Sequence, residues 1–232
     1  MLFLLTLLEM DTEQQLKISK SIFLVPIVFV LVIWIVYAIE ITFGYNFNTY
    51  GVYPRNLVGL RGVFLTHFIH SNTNHLFNNS IPLFVLLSSL FYFYRTIAYK
   101  VLLYGALWSG LLTWTIARES YHIGASGIVY VLFSFIFFSG IIRKHYRLVA
   151  LSFMIIFLYG SMIWYVFPIK EGISWEGHLS GFLVGLLYSI LYRNRGIVKE
   201  VHQFSKTDFD LLFDEYGNFI PSKIEQRVEE ES

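Results

Sequence analysis

Cysteine is absent from this sequence, which excludes disulfide bonds and any chemistry that depends on a thiol. Charged residues are also scarce, because they make up only 14% of the 232 residues, whereas about a quarter is usual in soluble domains. Hydrophobic residues reach 56%. So little polar side chain cannot cover a protein that faces water on every side. The composition therefore predicts an integral membrane protein.

The charges that are present are segregated, and long stretches of the chain contain none. One membrane-spanning helix needs about 20 mostly apolar residues. The uncharged stretch 62–94 exceeds one span, and its first half is rich in His, Asn, Ser and Thr, so only its second half is predicted as helix. We predict an all-α, polytopic bundle with six spans in residues 21–195. The spans are about 21–41, 75–94, 100–117, 124–142, 148–168 and 177–193.

The segments on either side of this region are expected to be cytoplasmic. The apolar stretch 1–8 is preceded by no basic residue, so residues 1–20 make a poor signal peptide. Residues 196–232 form a charged tail with a Glu-rich end, which predicts a small appendage that is partly disordered.

Lysine and arginine predict the orientation of the spans, because they accumulate in cytoplasmic loops. One set of loops contains Lys17, Lys20, Arg95, Lys100, Arg143, Lys144, Arg147, Arg193, Arg195 and Lys199. The other set contains Arg55, Arg61, Arg118 and Lys170. The first set of loops is therefore expected on the cytoplasmic side, together with both termini. The net charge of +1 gives no reason to expect a nucleic-acid partner.

Polar side chains collect where the second, fourth and sixth spans begin, and these three spans run in the same direction. His75 and Asn79 are four residues apart, and so are Ser126 and Tyr130, which puts each pair on one helix face. His178 opens the sixth span. Polar and ionisable groups are costly in a membrane, so their convergence at one depth favours a functional site.

Taken singly, these residues have ordinary structural explanations. A serine in a membrane helix commonly bonds to its own helix, a histidine at a span end commonly acts as a cap, and an asparagine commonly joins two helices. Their common depth makes Ser126, His178 and Asn79 a candidate site. No Asp or Glu lies within the core of a span, and only loop residues such as Glu119, Glu171 and Glu176 come near.

Glycines surround the candidate residues. Gly124 and Gly127 flank Ser126 and leave room for a substrate backbone. Gly181 and Gly185 form a stripe of small residues that permits close helix contact. Such contact is expected to bring the neighbouring His178 within hydrogen-bonding reach of Ser126.

A serine and a histidine in contact suit nucleophilic catalysis, because a hydroxyl is a weak nucleophile without an adjacent base. With no carboxylate in the core of any span, we predict a dyad of Ser126 and His178, with Tyr130 packed against the His178 ring. His75 and Asn79 are placed to donate hydrogen bonds to an oxyanion, beside the backbone N–H of Ser126.

The motifs HxxxN at His75, GxSG at Ser126 with a tyrosine four residues later, and HxxGxxxG at His178 resemble those of rhomboid intramembrane serine proteases. The resemblance covers about residues 20–195. It implies a six-helix rhomboid-like bundle around a water-filled cavity open to the outer side. It implies Ser126 as nucleophile, His178 as general base, and His75, Asn79 and the Ser126 N–H as oxyanion hole.

The resemblance also implies that residues 43–74 form a partly membrane-embedded loop, which His70 stabilises. One feature departs from the family pattern. Many members carry a Trp-Arg pair before the histidine-rich stretch, whereas Gly62 and Val63 stand there in this sequence, with Arg61 displaced. This departure concerns how the loop is anchored and not the dyad.

The sequence predicts an endopeptidase that cleaves single-span membrane proteins near the outer face, within the lipid bilayer of a bacterial inner or plasma membrane. No cofactor and no metal are expected. One alternative is a non-catalytic rhomboid-like protein that binds membrane helices. Another is a metal-binding protein, because five histidines are expected on the outer side, although HExxH is absent. They are His67, His70, His75, His122 and His178.

Overall fold

The computed structural model describes residues 18–197, 212–214 and 216–220. Within these residues the regular structure is helical, apart from two isolated bridges. Six helices are long: α1 Ser21–Phe43, α2 Thr73–Phe93, α3 Ala98–Ile116, α4 Ser126–Arg143, α5 Tyr146–Tyr159 and α6 Trp175–Leu191. The all-α prediction is confirmed. The predicted segments 1–20 and 196–232 lie mostly outside the described residues.

Four helical segments are long and apolar enough to cross a membrane: Ser21–Phe43, Thr73–Phe93, Ser126–Arg143 and Tyr146–Val166. The last of these comprises α5 and the 3₁₀ helix Gly160–Val166 that continues it. The chain is therefore an integral membrane protein. Helices α3 and α6 do not meet the same requirement for length and apolar character. Six spans and cytoplasmic termini therefore stay predictions.

Helix α4 is the centre of the bundle. It packs against α2, α3, α5 and α6, and 67% of its most apolar stretch is buried. The corresponding figure for α1, which packs mainly against α2, is 17%. Side chains of α1 such as Phe23, Leu24 and Leu31 are exposed and apolar, and lipid suits them as solvent. The candidate nucleophile, Ser126, thus lies on the most enclosed helix.

The tightest packing in the described residues joins α4 and α6. A Cβ atom at Gly181 would overlap the carbonyl of Gly127, and one at Gly185 would overlap the carbonyl of Val131. Only glycine allows the two backbones to approach this closely. The stripe of small residues therefore places the start of α6 beside the start of α4.

The loop between α1 and α2 is folded onto the rest of the protein through backbone contacts. Val52 exchanges two hydrogen bonds with His122, with N···O distances of 3.0 and 2.8 Å. A Cβ atom at Gly62 would overlap the backbone of Gly51, and one at Gly110 would overlap the carbonyl of Val63. Glycine at position 62 therefore permits the loop to fold on itself.

Arg61 is also part of this anchoring. Its guanidinium carbon lies 4.4 Å from the centroid of the Tyr50 ring, and its Nη2 donates to the carbonyl of Thr49 at 3.1 Å. At the start of the loop, the Phe47 N–H donates to Glu40 Oε1 at 2.8 Å. Gly62 and Arg61 thus give the loop an anchoring of its own in the absence of a Trp-Arg pair.

Residues 200–232 form a separate unit. Its described part is a tight turn in which Asp214 Oδ1 accepts hydrogen bonds from the N–H groups of Tyr216 and Asn218, at 2.9 and 2.8 Å. The rings of Phe213 and Phe219 meet edge to face, with their centroids 5.7 Å apart.

Candidate active site

Ser126 is the first residue of α4. The N–H groups of the first helical turn have no partner within their own helix, so they remain available to an incoming ligand. The preceding turn is held from the first loop, because the Gly124 N–H donates to the Thr66 carbonyl at 2.9 Å and the Ala125 N–H donates to His70 Nε2 at 3.3 Å. His70 therefore contacts the backbone next to Ser126.

Gly124 has a backbone conformation that other residues avoid, with φ at +116°. A Cβ atom there would lie 2.6 Å from His75 Nε2 and 3.7 Å from Asn79 Nδ2. The sequence suggested that glycine leaves room for a substrate. In the structure, the space beside this glycine is occupied by His75, so Gly124 is what allows the imidazole to lie against the turn before Ser126.

His75 and Asn79 both belong to the first two turns of α2. Asn72 caps this helix and accepts a hydrogen bond from the His75 N–H at 2.8 Å. Asn79 is buried, and its Nδ2 donates to the His75 carbonyl at 3.1 Å. An amide NH₂ has two hydrogens, so this bond leaves Asn79 a second donor. The structure therefore brings both predicted oxyanion donors beside the Gly124 turn.

Tyr130 and His178 are in direct contact. Their rings are stacked, with centroids 4.3 Å apart and planes inclined by 14°. The Tyr130 hydroxyl donates to the carbonyl of Met162 at 2.7 Å, and His178 Nδ1 lies 2.9 Å from the carbonyl of Tyr165. Sequence reasoning missed both acceptors, because every residue carries a main-chain carbonyl and no motif marks these two.

Ser126 lies one helical turn before Tyr130, and thus near the ring that Tyr130 contacts. No hydrogen bond joins Ser126 Oγ to the His178 ring within the described part of the chain. In enzymes without substrate, catalytic hydrogen bonds are often long and tighten only in the complex. The dyad of Ser126 and His178 stays a prediction.

A small cavity of about 20 Å³ adjoins Ser126. This volume is enough for a water molecule, provided that polar groups line the cavity. Its walls include Ser126 together with His67, Ser109, Thr113 and His122. Several polar side chains therefore border the cavity beside the candidate nucleophile.

A buried polar network ties the loop before Ser126 to the start of α6. His122 Nδ1 lies 2.6 Å from Ser174 Oγ, and Ser174 in turn caps α6 by accepting from the Gly177 N–H at 3.3 Å. Glu176 is buried and pairs with Arg118 at 3.6 Å. Burial lowers the pKa of His122, and the Arg118 carbonyl and the Glu176 carboxylate partly oppose this.

Two histidines of the first loop, His67 and His70, also form hydrogen bonds. His67 Nε2 lies 3.0 Å from the Ala106 carbonyl, and burial lowers the pKa of His67 to about 4. Burial, reinforced by the neighbouring His75, lowers the pKa of His70 to about 3. Both rings are therefore neutral near pH 7. In residues 18–197, no three His, Asp or Glu side chains are grouped so that they could hold a metal ion.

The chain is similar in sequence to known proteins. The sequence profile of the Rhomboid domain matches residues 59–195, which is more than half of the chain. Uncharacterized proteins of Mycobacterium bovis and Mycobacterium tuberculosis are each 31% identical to this chain over 175 residues, which cover 70% of this chain and 72% of theirs. An uncharacterized protein of Mycobacterium leprae is 30% identical over 144 residues, covering 57% of this chain and 56% of its own. The chain therefore belongs to the rhomboid family of membrane proteins.

Proposed function

We propose that this protein is an intramembrane serine endopeptidase that cleaves single-span membrane proteins near the outer face of the bilayer. The observation that carries the proposal is the stacking of the His178 ring on Tyr130, one turn after Ser126 on the central helix. Membership of a family that generally contains such proteases adds to it. Neither argument depends on the identity of the substrate.

In the proposed reaction, Ser126 Oγ attacks the scissile carbonyl while His178 takes the hydroxyl proton. The carbonyl electrons move to its oxygen, which accepts hydrogen bonds from His75, Asn79 and the Ser126 N–H. Collapse of this intermediate breaks the C–N bond, and the leaving amine takes the proton from His178. Water then hydrolyses the acyl-enzyme by the same route. Loss of one oxyanion donor costs a factor of about 100–1,000 in rate.

The substrate helix is proposed to enter sideways between α2 and α5. Both helices pack against α4, and within the described residues they make little contact with each other. A gap between two helices that share a neighbour opens to lipid, where a membrane-spanning substrate resides. The end of the substrate helix would unwind there, helped by glycine or other residues that weaken helices.

The test uses the full chain reconstituted into lipid vesicles, with a fluorescent fluorophosphonate and a labelled single-span substrate. Ser126→Ala and His178→Ala are expected to abolish both labelling and cleavage. Ser89→Ala, which removes a largely buried serine that bonds to its own helix, is the control and is expected to keep both. Undiminished cleavage by Ser126→Ala would exclude the proposed nucleophile.

A second candidate is a rhomboid-like protein that binds membrane helices without cleaving them. The observation in its favour is that no hydrogen bond joins Ser126 Oγ to His178 in the described residues. A protein that only binds has no reason to activate a serine. Substrate capture by the unmodified chain, without labelling of Ser126, would therefore favour this candidate.

A further inference from the structure

A catalytic histidine needs a partner that fixes which of its nitrogens carries the proton. In serine proteases with a triad, a buried carboxylate has this role and holds the ring in the productive tautomer. The buried carboxylate nearest in sequence to His178 is Glu176, and it is engaged by Arg118, with its Oε1 accepting from the Arg118 N–H at 3.3 Å. In the described residues, no carboxylate hydrogen-bonds to His178.

The His178 ring is bonded instead to the protein backbone. Its Nδ1 lies 2.9 Å from the carbonyl oxygen of Tyr165. A carbonyl oxygen can only accept, so Nδ1 must be the nitrogen that carries the hydrogen. In a neutral imidazole the other nitrogen, Nε2, then has a free lone pair. This is the tautomer that a general base acting on Ser126 requires.

The carbonyl of Tyr165 belongs to the 3₁₀ helix Gly160–Val166, which follows α5. Two side chains from other helices bond to this short segment, namely His178 from α6 and Tyr130 from α4, whose hydroxyl donates to Met162 at 2.7 Å. Tyr130 also stacks on the His178 ring. One tyrosine therefore contacts both the imidazole and the segment that supplies its acceptor.

We propose that the main-chain carbonyl of Tyr165 positions His178 in the place of a triad carboxylate, and that the Tyr130 hydroxyl holds this carbonyl by binding Met162. The inference rests on the proposed role of His178 as general base. Tyr165 and Tyr130 are positioning residues, since they act through His178. A carbonyl carries no net charge, so it selects the tautomer without the charge stabilisation that a carboxylate supplies.

The consequence is that the dyad is competent only while the segment Gly160–Val166 is docked. Movement of this segment away from α4 and α6 would break the bond to Nδ1 and leave the tautomer unspecified. The segment continues α5, which borders the proposed substrate entry. The hydrogen bonds of His178 to Tyr165 and of Tyr130 to Met162 therefore link the position of α5 at the substrate entry to the tautomer of His178.

The experiment compares the unmodified chain with Tyr130→Phe, which keeps the stacked ring and loses the bond to Met162. The ¹⁵N spectrum of imidazole-labelled protein in detergent reports the tautomer, and the signals absent from His178→Ala identify His178. The unmodified chain is expected to show the Nδ1–H form. Tyr130→Phe is expected to show a mixture of tautomers and a kcat lowered by about 3- to 10-fold, as for one neutral hydrogen bond, at nearly constant KM.

Tyr188→Phe is the matched control, because Tyr188 is another buried tyrosine and stands ten residues after His178 on α6. It is expected to change neither the spectrum nor kcat. An Nε2–H tautomer in the unmodified chain, or unchanged spectrum and kcat in Tyr130→Phe, would overturn the inference. A failure of Ser126 to react with fluorophosphonate, with His178 still in the Nδ1–H form, would instead count against the proposed function alone.

Discussion

At residue scale, the candidate site depends on a glycine as much as on its polar groups. Gly124 adopts a φ of +116°, and the imidazole of His75 occupies the space that a side chain would need. A residue with a Cβ atom would be strained in this conformation and would push His75 away at the same time. The first glycine of the GxSG motif therefore admits His75, the proposed oxyanion donor, beside the turn that precedes the proposed nucleophile.

Gly124→Ala is expected to lower the rate of fluorophosphonate labelling at Ser126 by about 100-fold or more, as for the loss of one oxyanion donor. The physical reason is the collision with His75 Nε2, which would lie 2.6 Å from the new Cβ atom. Labelling rates in detergent, with thermal unfolding measured alongside, give the comparison. A labelling rate equal to that of the unmodified chain would contradict the assigned contact.

Gly44→Ala separates the collision from backbone strain. Gly44 ends α1 with a φ of +67°, and nothing lies within 4 Å of an added Cβ atom. This variant is expected to lose about 1 kcal/mol of stability from the left-handed conformation. Its labelling rate is expected to remain that of the unmodified chain, since Gly44 is remote in sequence from the dyad.

Residue spacing alone predicted most of the candidate site. His75 and Asn79 were grouped by their four-residue separation, as were Ser126 and Tyr130, and these pairs do share helix faces. The acceptor for His178 could not be predicted in this way. It is a main-chain carbonyl of Tyr165, and its role depends on where the chain passes after α5, which no side-chain pattern records.

At element scale, the contact between α4 and α6 decides whether the dyad can form. Gly181 and Gly185 let α6 lie against the carbonyls of Gly127 and Val131. The start of α6 is further fixed by Ser174, which caps the helix and bonds to His122. The glycine stripe and the polar network thus both fix the position of α6, and the position of α6 determines that of His178.

Gly185→Ala is expected to destabilise the bundle by about 1–3 kcal/mol, because overpacking forces a well-packed interface apart. The new Cβ atom would overlap the Val131 carbonyl and lie 2.9 Å from the Phe135 nitrogen, and backbone atoms cannot rotate away. The thermal unfolding temperature in detergent measures the effect. Labelling of Ser126 is expected to fall with it, since His178 belongs to the displaced helix.

Gly105→Ala on α3 is the control for this prediction. Its Cβ atom would also meet α4, but at the end of the Val131 side chain, 2.7 Å away. A side chain can change its rotamer, so a smaller loss of stability is expected here. Equal losses in the two variants would mean that close backbone approach is not what holds α4 against α6.

At the scale of the whole molecule, the open question is how many helices cross the membrane. Four segments have the length and apolar character of a span, whereas α3 and α6 do not meet both requirements. Both of these helices pack against α4 and against each other, so protein rather than lipid covers much of their surface. Surface that packs against other helices in a membrane commonly carries small and polar residues, so such a helix is less apolar than one that faces lipid.

The absence of cysteine makes this topology directly testable, because each single substitution introduces the only thiol. If α3 and α6 both cross, Glu119→Cys and Lys170→Cys are expected to react with a membrane-impermeant maleimide in intact cells. Lys100→Cys and Arg193→Cys are expected to react only after permeabilisation, because cytoplasmic loops are rich in Lys and Arg. Lys100, in the first turn of α3, and Glu119 lie at opposite ends of α3, and Lys170 and Arg193 lie on either side of α6.

The opposite pattern for all four positions would reverse the orientation of the protein. Reaction of positions 100 and 119 from the same side would show that α3 does not cross. Reaction of positions 170 and 193 from the same side would show the same for α6. All four side chains are exposed on the surface of the protein.

Composition, charge segregation and helical spacing by themselves determined that this chain is a helical membrane protein with polar residues gathered at the start of several helices. These properties follow from local rules, since lipid demands helices and a period of 3.6 residues defines a face. Only the tertiary structure decided that Gly124 admits His75, that Arg61 and Gly62 anchor the first loop, and that Tyr165 supplies the acceptor for His178. Those contacts join different segments of the chain, and several of them are made to backbone atoms, which are the same in every residue.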